Sequence, residues 1–357
     1  MKEILKNKKN PFSLTSEEKN EYLTKFLKKL SIFHKKNCKE YGKITNNLFG
    51  SLKSIDDVYD LPFLPVSIFK GHDLKSISDE DVLRTMTSSG TTGQQVSKIY
   101  LDKKTSFNQS KVLGEIVEDF IGKDRMMFTV IDSEDVITNR TSFSARGAGI
   151  LGFSRFGKGR NFILDQSMEL NVDKLLDLCK ESKGKMLFFG FTFMVWKHFL
   201  LEIEKRKLKV DLSQSILIHG GGWKKLKDIQ VTDFEFKERL KKATGIKKVF
   251  NYYGMVEQTG SIFFECEYGN LHSSDYSDII LRNKEDLSPI KNKNQEGLIQ
   301  LLSVLPESYP GHSLLSEDIG IILGEDDCRC NRKGKYFKVL GRVENAEVRG
   351  CSDTYTN

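Results

Sequence analysis

Proline is scarce in this chain, six in 357 residues, and no proline-rich linker divides it. Cysteine is as sparse, also six. Residues Met1–Asn10 are basic but hold no apolar h-region, so no secretory signal is read there. The thiols are therefore expected to be reduced and the protein cytoplasmic. Long apolar runs are missing too. The longest, Met186–Leu200, is broken by Lys197 and His198, and it falls short of the roughly 20 residues of a membrane span. There is no arginine-rich arm and no aromatic–basic alternation, and the net charge of +7 is carried by lysines spread over the whole length. A nucleic-acid partner is not indicated. The surplus reads as a solvated surface or as a match to anionic substrates. No internal repeat is found.

What is present suffices for a large core: 38% hydrophobic residues, 24 phenylalanines and a mean hydropathy of −0.40. The length allows two or three domains, or one large α/β domain with subdomains. Thr15 and Glu18 fit a capping box. Tyr22, Leu23, Phe26, Leu27, Leu30 and Phe33 follow at helical spacing to His34. Pro62 and Pro65 force an extended path through Leu61–Pro65. Strands expected at Met126–Ile131, Lys185–Phe189, Ser215–His219 and Lys248–Tyr252 then alternate with helices expected at Ser106–Ile121, Val172–Glu181, Thr192–Lys205 and Asp233–Ala243. This alternation predicts an α/β fold, a sheet covered by helices. After Gly260, short strands without helices predict a smaller β-rich subdomain. They are expected at Ser261–Phe264, Asp278–Arg282, Leu298–Leu302, Gly320–Leu323 and Tyr336–Leu340.

Thr87, Ser88, Ser89, Gly90, Thr91, Thr92 and Gly93 form a run that cannot build a core. Converging backbone N–H groups and hydroxyls suit it to wrap an anion. A Ser/Thr/Gly surface turn is the alternative. Strands expected at Val82–Met86 and Val96–Leu101 make it a hairpin loop. A Walker A loop instead needs G-x-x-x-x-G-K-[ST] between a strand and a helix. Two glycine patterns imitate nucleotide motifs. Gly147, Gly149 and Gly152 spell G-x-G-x-x-G well beyond the nearest expected strand. Gly152 to Gly159 spells G-x-x-x-x-G-K-G, without the Ser/Thr that a Walker loop offers to Mg²⁺. Both are read as one glycine-rich loop, a candidate pocket lining.

Four further patterns follow in order. Gly220, Gly221 and Gly222 come just after an expected strand, where backbone passes close to a ligand. Tyr252 and Tyr253 close a strand, with Gly254, Met255, Val256 and the carboxylate of Glu257 beyond. Ser316, Glu317 and Asp318 precede another strand, and Gly341, Arg342, Val343 and Glu344 follow the last. Each is weak by itself, since Glu257 or Asp318 alone reads as a surface carboxylate. Together, and in this order, they are specific.

The order resembles the adenylate-forming (acyl-activating) superfamily. Within it the chain is most similar to the acyl-protein synthetases (LuxE-like), the fatty-acid-activating subunits of reductase complexes. The strings that carry the likeness are Leu61–Pro65 ahead of Phe69 and Lys70, Ser89–Asp102, Gly220–Lys224 and Val348–Thr354. The resemblance implies the superfamily's large domain, with helix-covered sheets and the β-rich subdomain. The C-terminal small domain, with its catalytic lysine, is expected to be absent, because the sequence stops at Asn357. The segments are then 1–60 (N-terminal helical), 61–260 (α/β adenylation core), 261–341 (β-rich, with the candidate zinc site) and 342–357 (short tail).

The resemblance also implies roles. Ser88, Ser89, Gly90, Thr91, Thr92 and Gly93 would hold the outgoing phosphates of ATP, with Thr91 counted among the catalytic groups. Glu257 would hold Mg²⁺, and Val256 stands where the family usually has Thr. Tyr253 would stack on adenine, with the backbone of Gly220, Gly221 and Gly222 alongside and Gly254 counted among the binding residues. Asp318 would accept from the ribose hydroxyls, and Arg342 would contact the ribose or the α-phosphate. Gln95 and Val96 occupy the region of the family's loop lysine, so Lys98 is not taken as its equivalent. The implied substrate is a long-chain fatty or other carboxylic acid. The implied partner is an acyl reductase subunit, and a homo-oligomer is left open.

The cysteines divide into groups. Cys266, His272, Cys328 and Cys330 offer three thiols and an imidazole, which suit tetrahedral zinc. Buried unliganded cysteines are the alternative. Related phenylacetate-CoA ligases carry a similar pattern, which favours a structural zinc. Cys351 lies in a polar segment near the end, with Arg349 and Asp353 pulling its pKa in opposite directions. An inert tail thiol is one reading, and the family's acyl-accepting cysteine is the other. Cys38 and Cys179 read as core. Phe188–Trp196 reads either as an acyl pocket wall or as a core strand–helix junction. The leading expectation is ATP-dependent activation to acyl-AMP, thioester formation on Cys351 and delivery to a reductase. The alternatives are an acyl-CoA ligase and a non-catalytic scaffold subunit.

Overall fold

The computed structural model describes residues 10–88, 96–138, 145–222 and 231–343. Its strands, in chain order, begin with β1 (Leu64–Pro65), β2 (Arg84–Thr87) and β3 (Lys98–Leu101). Next come β4 (Met127–Val130), β5 (Lys158–Phe162), β6 (Met186–Phe191), β7 (Ile216–Gly220) and β8 (Lys248–Tyr253). The remainder are β9 (Phe263–Glu265), β10 (Leu271–His272), β11 (Ser277–Arg282), β12 (Pro289–Ile290), β13 (Glu296–Ser303), β14 (Ser313–Glu325) and β15 (Lys335–Arg342). The described residues fall into two compact units. The first holds residues 10–88, 96–120 and 254–343, and the second holds 121–138, 145–222 and 231–253. Among the described residues no helix is long and apolar enough to cross a membrane.

The second unit is a parallel sheet of order β5-β4-β6-β7-β8. Helices Val172–Ser182 and Asp233–Thr244 connect its strands. Every residue of β6 and β7 is buried, as a parallel sheet covered on both faces requires. Thr232 caps the second of these helices and Gly245, at φ +83°, ends it. The stretch after β6 was expected to be one helix. It is α-helical over Thr192–Met194, π-helical over Val195–Leu200 and α-helical again over Leu201–Lys205. Trp196, on the wider turns, stacks on Phe236 at 6.1 Å and takes the Arg239 guanidinium at 4.5 Å.

The glycine-rich stretch expected as a loop is a helix, Ala145–Ser154. Glycine's low helix propensity is overridden by packing. A Cβ at Gly149 would already touch Phe191, Phe189 and the Tyr252 hydroxyl at 3.4, 3.5 and 3.6 Å, so a small residue lets the helix lie close. Phe153 from the same helix stacks on Phe189 at 4.8 Å. Lys158, of the Walker-like string, opens β5.

The first unit is an antiparallel sheet of order β12-β11-β13-β14-β15-β10-β9. Strand β1 joins β14 in parallel, and β2 and β3 form a separate hairpin. Its long N-terminal helix, Ser16–Asn37, has the capping box of Thr15 and Glu18 and buries Leu23, Leu27 and Leu30. It also buries Lys19 and His34. Lys19 lies 3.5 Å from Asp278, which pairs with Lys335 at 3.0 Å. Burial alone would raise the Asp278 carboxyl, but the two lysines outweigh it and hold the group below its usual value. His34 stacks on His312 at 5.0 Å. Apolar packing centres on Tyr41, Leu64, Phe69, Ile99, Tyr309 and Leu314.

Candidate functional site

In the second unit the candidate residues gather at strand ends. Register places Phe191, Gly220 and Tyr252 side by side at the C-terminal ends of β6, β7 and β8. Parallel strands leave unpaired backbone groups at that edge, where ligands bind. Gly220 is required by packing, because a Cβ there would fall 2.4 Å from the Tyr252 ring. Gly221 turns the chain at φ +73°, and Gly222 is exposed. Tyr253, half-buried, ends β8. Within Phe188–Trp196 the faces alternate. Phe189 and Phe191 contact the Phe153 and Tyr252 side of the sheet, whereas Phe188 packs on Phe199. Phe191, of the first face, lies beside the glycine turn.

In the first unit the Asp318 carboxylate is held by register and by a hydrogen bond, and Glu257 through its backbone. Asp318 and Arg342 are partners across β14 and β15, and Arg342 Nε donates to Asp318 Oδ1 at 2.9 Å. The ribose-binding and hinge candidates are thus one ion pair. Glu257 sits in a short 3₁₀ turn, Val256–Gln258, and is buried. Its carbonyl accepts from the fully buried Tyr309 hydroxyl at 2.9 Å, and that hydroxyl accepts from Gln109 Nε2 at 3.3 Å. Gln258 Nε2 donates to the carbonyls of Leu301 and Gly311 at 3.1 and 2.8 Å. Gln109, Gln258 and Tyr309 were not singled out in the sequence. Tyr309-Pro310-Gly311 is the one local signal that could have marked them.

Ser88 closes the hairpin of the hydroxyl-rich loop. Its N–H donates to the Ser97 carbonyl at 3.0 Å, and its Oγ accepts from the Ser97 N–H at 2.9 Å. Ser89, Gly90, Thr91, Thr92 and Gly93 lie outside the described residues, as does Cys351. Lys98, on β3, pairs with exposed Asp73 at 3.6 Å.

Cys266, His272, Cys328 and Cys330 come together although they are spread over the turn after β9, β10 and the loop before β15. Their four ligand atoms lie within 4.8 Å of one another. Cys266 and Cys328 sulfurs are 4.0 Å apart, and Cys330 Sγ is 3.3 Å from His272 Nε2. Thiolates around a tetrahedral zinc, at about 2.3 Å each, stand about 3.8 Å apart, so the set fits that ion. A hydrogen bond from Cys266, with His272 adding, holds the Cys330 thiol far below its ordinary value. The same bond and burial push Cys266 up.

The chain has the adenylate-forming ligase fold. The open conformation of 2-hydroxyisobutyryl-CoA ligase, solved with 2-HIB-AMP and CoA, matches with a TM-score of 0.72 over 95% of this chain and 79% of its own, at 12% identity. Its postadenylation state gives 0.73 over 95% and 71%, also at 12% identity. Within this class the chain belongs to the LuxE acyl-protein synthetase family, which it matches over residues 3–357. Two relatives carry the name long-chain-fatty-acid–luciferin-component ligase. The one from Aliivibrio fischeri is 23% identical over 369 residues, covering 97% of this chain and 91% of the relative. The one from Vibrio harveyi is 23% identical over 358 residues, covering 96% and 89%.

Proposed function

We propose that this chain uses ATP to activate a long-chain fatty acid as its acyl-adenylate and then moves the acyl group to the thiol of Cys351. The observation that carries this reading is the family match over nearly the whole chain. In the first step a carboxylate oxygen of the acid attacks the α-phosphorus of ATP, and pyrophosphate leaves. A free carboxylate is a poor acyl donor, whereas the mixed anhydride has AMP as leaving group. The protein's work is positioning and charge neutralisation. Ser88, Ser89, Gly90, Thr91, Thr92 and Gly93 receive the outgoing phosphates. Tyr253 with the backbone of Gly221, Gly222 and Gly254 takes the adenine. Asp318 accepts from the ribose hydroxyls, and Arg342, paired with it, contacts the ribose or the α-phosphate. Glu257 holds Mg²⁺, a cation that keeps water and phosphate oxygens and asks for one or two protein carboxylates. When bound it neutralises phosphate charge.

In the second step the Cys351 thiolate attacks the acyl carbonyl, AMP leaves and a thioester forms, ready for an acyl reductase subunit. Cys266, His272, Cys328 and Cys330 hold a structural zinc, since four protein ligands leave no open position for catalysis. The protein works in the cytoplasm, where its thiols stay reduced.

Two assays test the reading: fatty-acid-dependent ATP–pyrophosphate exchange, and labelling of the protein by radioactive fatty acid with ATP and no CoA. The wild type should do both. Glu257→Gln should lower exchange by about 10²–10³-fold. Cys351→Ser should keep exchange and lose the hydroxylamine-labile acyl group. Consumption of CoA without protein labelling would replace the reading with an acyl-CoA ligase, and no exchange would leave a scaffold. Elemental analysis should find one zinc per chain, lost in a Cys328→Ser, Cys330→Ser double variant. Metal-free wild type removes the zinc assignment.

A further inference from the structure

No role has been given above to the Thr192 or His219 side chain, yet both are buried beside the glycine turn after β7. Thr192 Oγ1 lies 2.7 Å from the Gly221 carbonyl oxygen and 3.2 Å from that of Gly220. Carbonyls only accept, so the hydroxyl's single proton points to them. The same oxygen is 2.9 Å from His219 Nδ1. With its proton committed, it can only accept there. Nδ1 therefore carries the ring proton.

Two further facts agree. His219 Nε2 is buried without a hydrogen-bond partner, a position far cheaper for a bare nitrogen than for a charged N–H. Burial, with Lys237 adding, pushes the imidazole down to about 3, so the ring is neutral at physiological pH. Phe236 packs against it at 4.9 Å. The turn it reaches is one that needs holding. Consecutive glycines distort cheaply, and Gly221 occupies the left-handed region.

We infer that Thr192 and His219 are positioning residues, a relay from His219 Nδ1–H through Thr192 Oγ1 to the Gly221 carbonyl that fixes the glycine turn in the shape that receives the adenine of ATP. The inference rests on the reading of Gly221 and Gly222 as adenine-facing. Recognition by backbone depends on where the carbonyl and N–H groups stand. A loosened turn weakens ATP binding and leaves the chemistry at phosphorus unchanged.

The test is pyrophosphate-exchange kinetics on the full chain, with ATP binding measured by calorimetry. Thr192→Val removes the hydroxyl at nearly constant shape. It should raise the KM for ATP and the calorimetric Kd about fivefold, the worth of one hydrogen bond, with kcat within about twofold. His219→Asn places an amide N–H where Nδ1 stands and should stay near wild type, whereas His219→Leu should match Thr192→Val. The Thr192→Val, His219→Leu double variant should be no worse than either single change. Gly222→Val examines the adenine reading separately, because a Cβ at Gly222 meets no described residue within 4 Å and the added bulk is aimed at a ligand. Unchanged ATP affinity in Gly222→Val removes the adenine reading and the inference with it. Weakened affinity there with Thr192→Val at wild-type KM overturns the relay alone. Should Thr192→Val fail to fold, equal KM values for His219→Asn and His219→Leu overturn it instead.

Discussion

The two units hold candidate residues of different kinds. The second supplies backbone and rings: the glycine turn, Tyr252, Tyr253 and the Phe189 and Phe191 face. The first holds carboxylates, Glu257 and Asp318; Arg342 pairs with Asp318, and Tyr309 holds the Glu257 backbone carbonyl. The sheets explain the contrast. A parallel sheet buried on both faces has little room for polar side chains, and its strand ends are where unpaired backbone is offered. An antiparallel sheet sets residues opposite one another in register, so Asp318 meets Arg342 directly. The interiors differ in the same sense. Among its described residues the second unit buries one ion pair, Asp132 with Arg146 at 3.0 Å, besides His219. The first buries Lys19, Lys335, Asp275, Asp278, His34 and His312.

Acid should therefore act on the two units unequally, and this is the largest effect expected. His34 is held down to about 3 by burial, and His312 well below its ordinary value by burial and by His34. Ser31, Ser76, Tyr41 and the Pro306 carbonyl are the groups bonded to the two rings. Unfolded, each ring binds a proton below about pH 6.5; folded, neither does. Their stabilisation is full above that pH and declines as pH falls, by up to about 1.4 kcal/mol per unit for each ring. In the second unit His219 has the same sign. Asp132, pushed up to about 6 by burial against the pull of Arg146, has the opposite sign, since its folded form gains the proton first. Native-state hydrogen exchange between about pH 6.5 and 4.5 should show the first unit losing more protection. Equal loss would break the comparison.

Lys335→Met should come next, at about 3–5 kcal/mol in urea unfolding, because it leaves buried Asp278 with Lys19 alone. A cost below about 1 kcal/mol would mean that Lys19 alone satisfies the carboxylate. Gly220→Ala tests the second unit by sterics. The new methyl must displace the Tyr252 ring, at about 1–3 kcal/mol, and the same unfolding measurement reads it. Lys98→Ala should be smallest. Lys98 and Asp73 are exposed, and such pairs are worth at most about 1 kcal/mol. Pyrophosphate exchange should change less than about twofold. A larger loss would assign Lys98 a part in phosphate binding.

The sequence was most readable where a signal is local. The capping box of Thr15 and Glu18, the helical stripe through Leu30 and the βα alternation between Met126 and Tyr252 each need only neighbours in the chain. The same locality misled at Gly147–Gly152, where glycine content suggested a loop and packing on Phe189, Phe191 and Tyr252 imposed a helix. It also hid the π-helical turns at Val195–Leu200, which sequence periodicity does not separate from an α-helix.

By itself the sequence determined the α/β class, the order of the candidate motifs and the family they belong to, because caps, periodicities and contiguous strings are encoded within a few residues. Only the tertiary structure decided which motifs are partners. Asp318 and Arg342 are 24 positions apart and meet through strand register. Cys266 and Cys328 are 62 apart and meet through the path of loops. Glu257 and Tyr309 are 52 apart, joined by one buried hydroxyl. Thr192 reaches Gly221 across adjacent strand ends, 29 positions on. Hydrogen bonds act over about 3 Å, and the chain brings such pairs within that reach only after its sheets have formed.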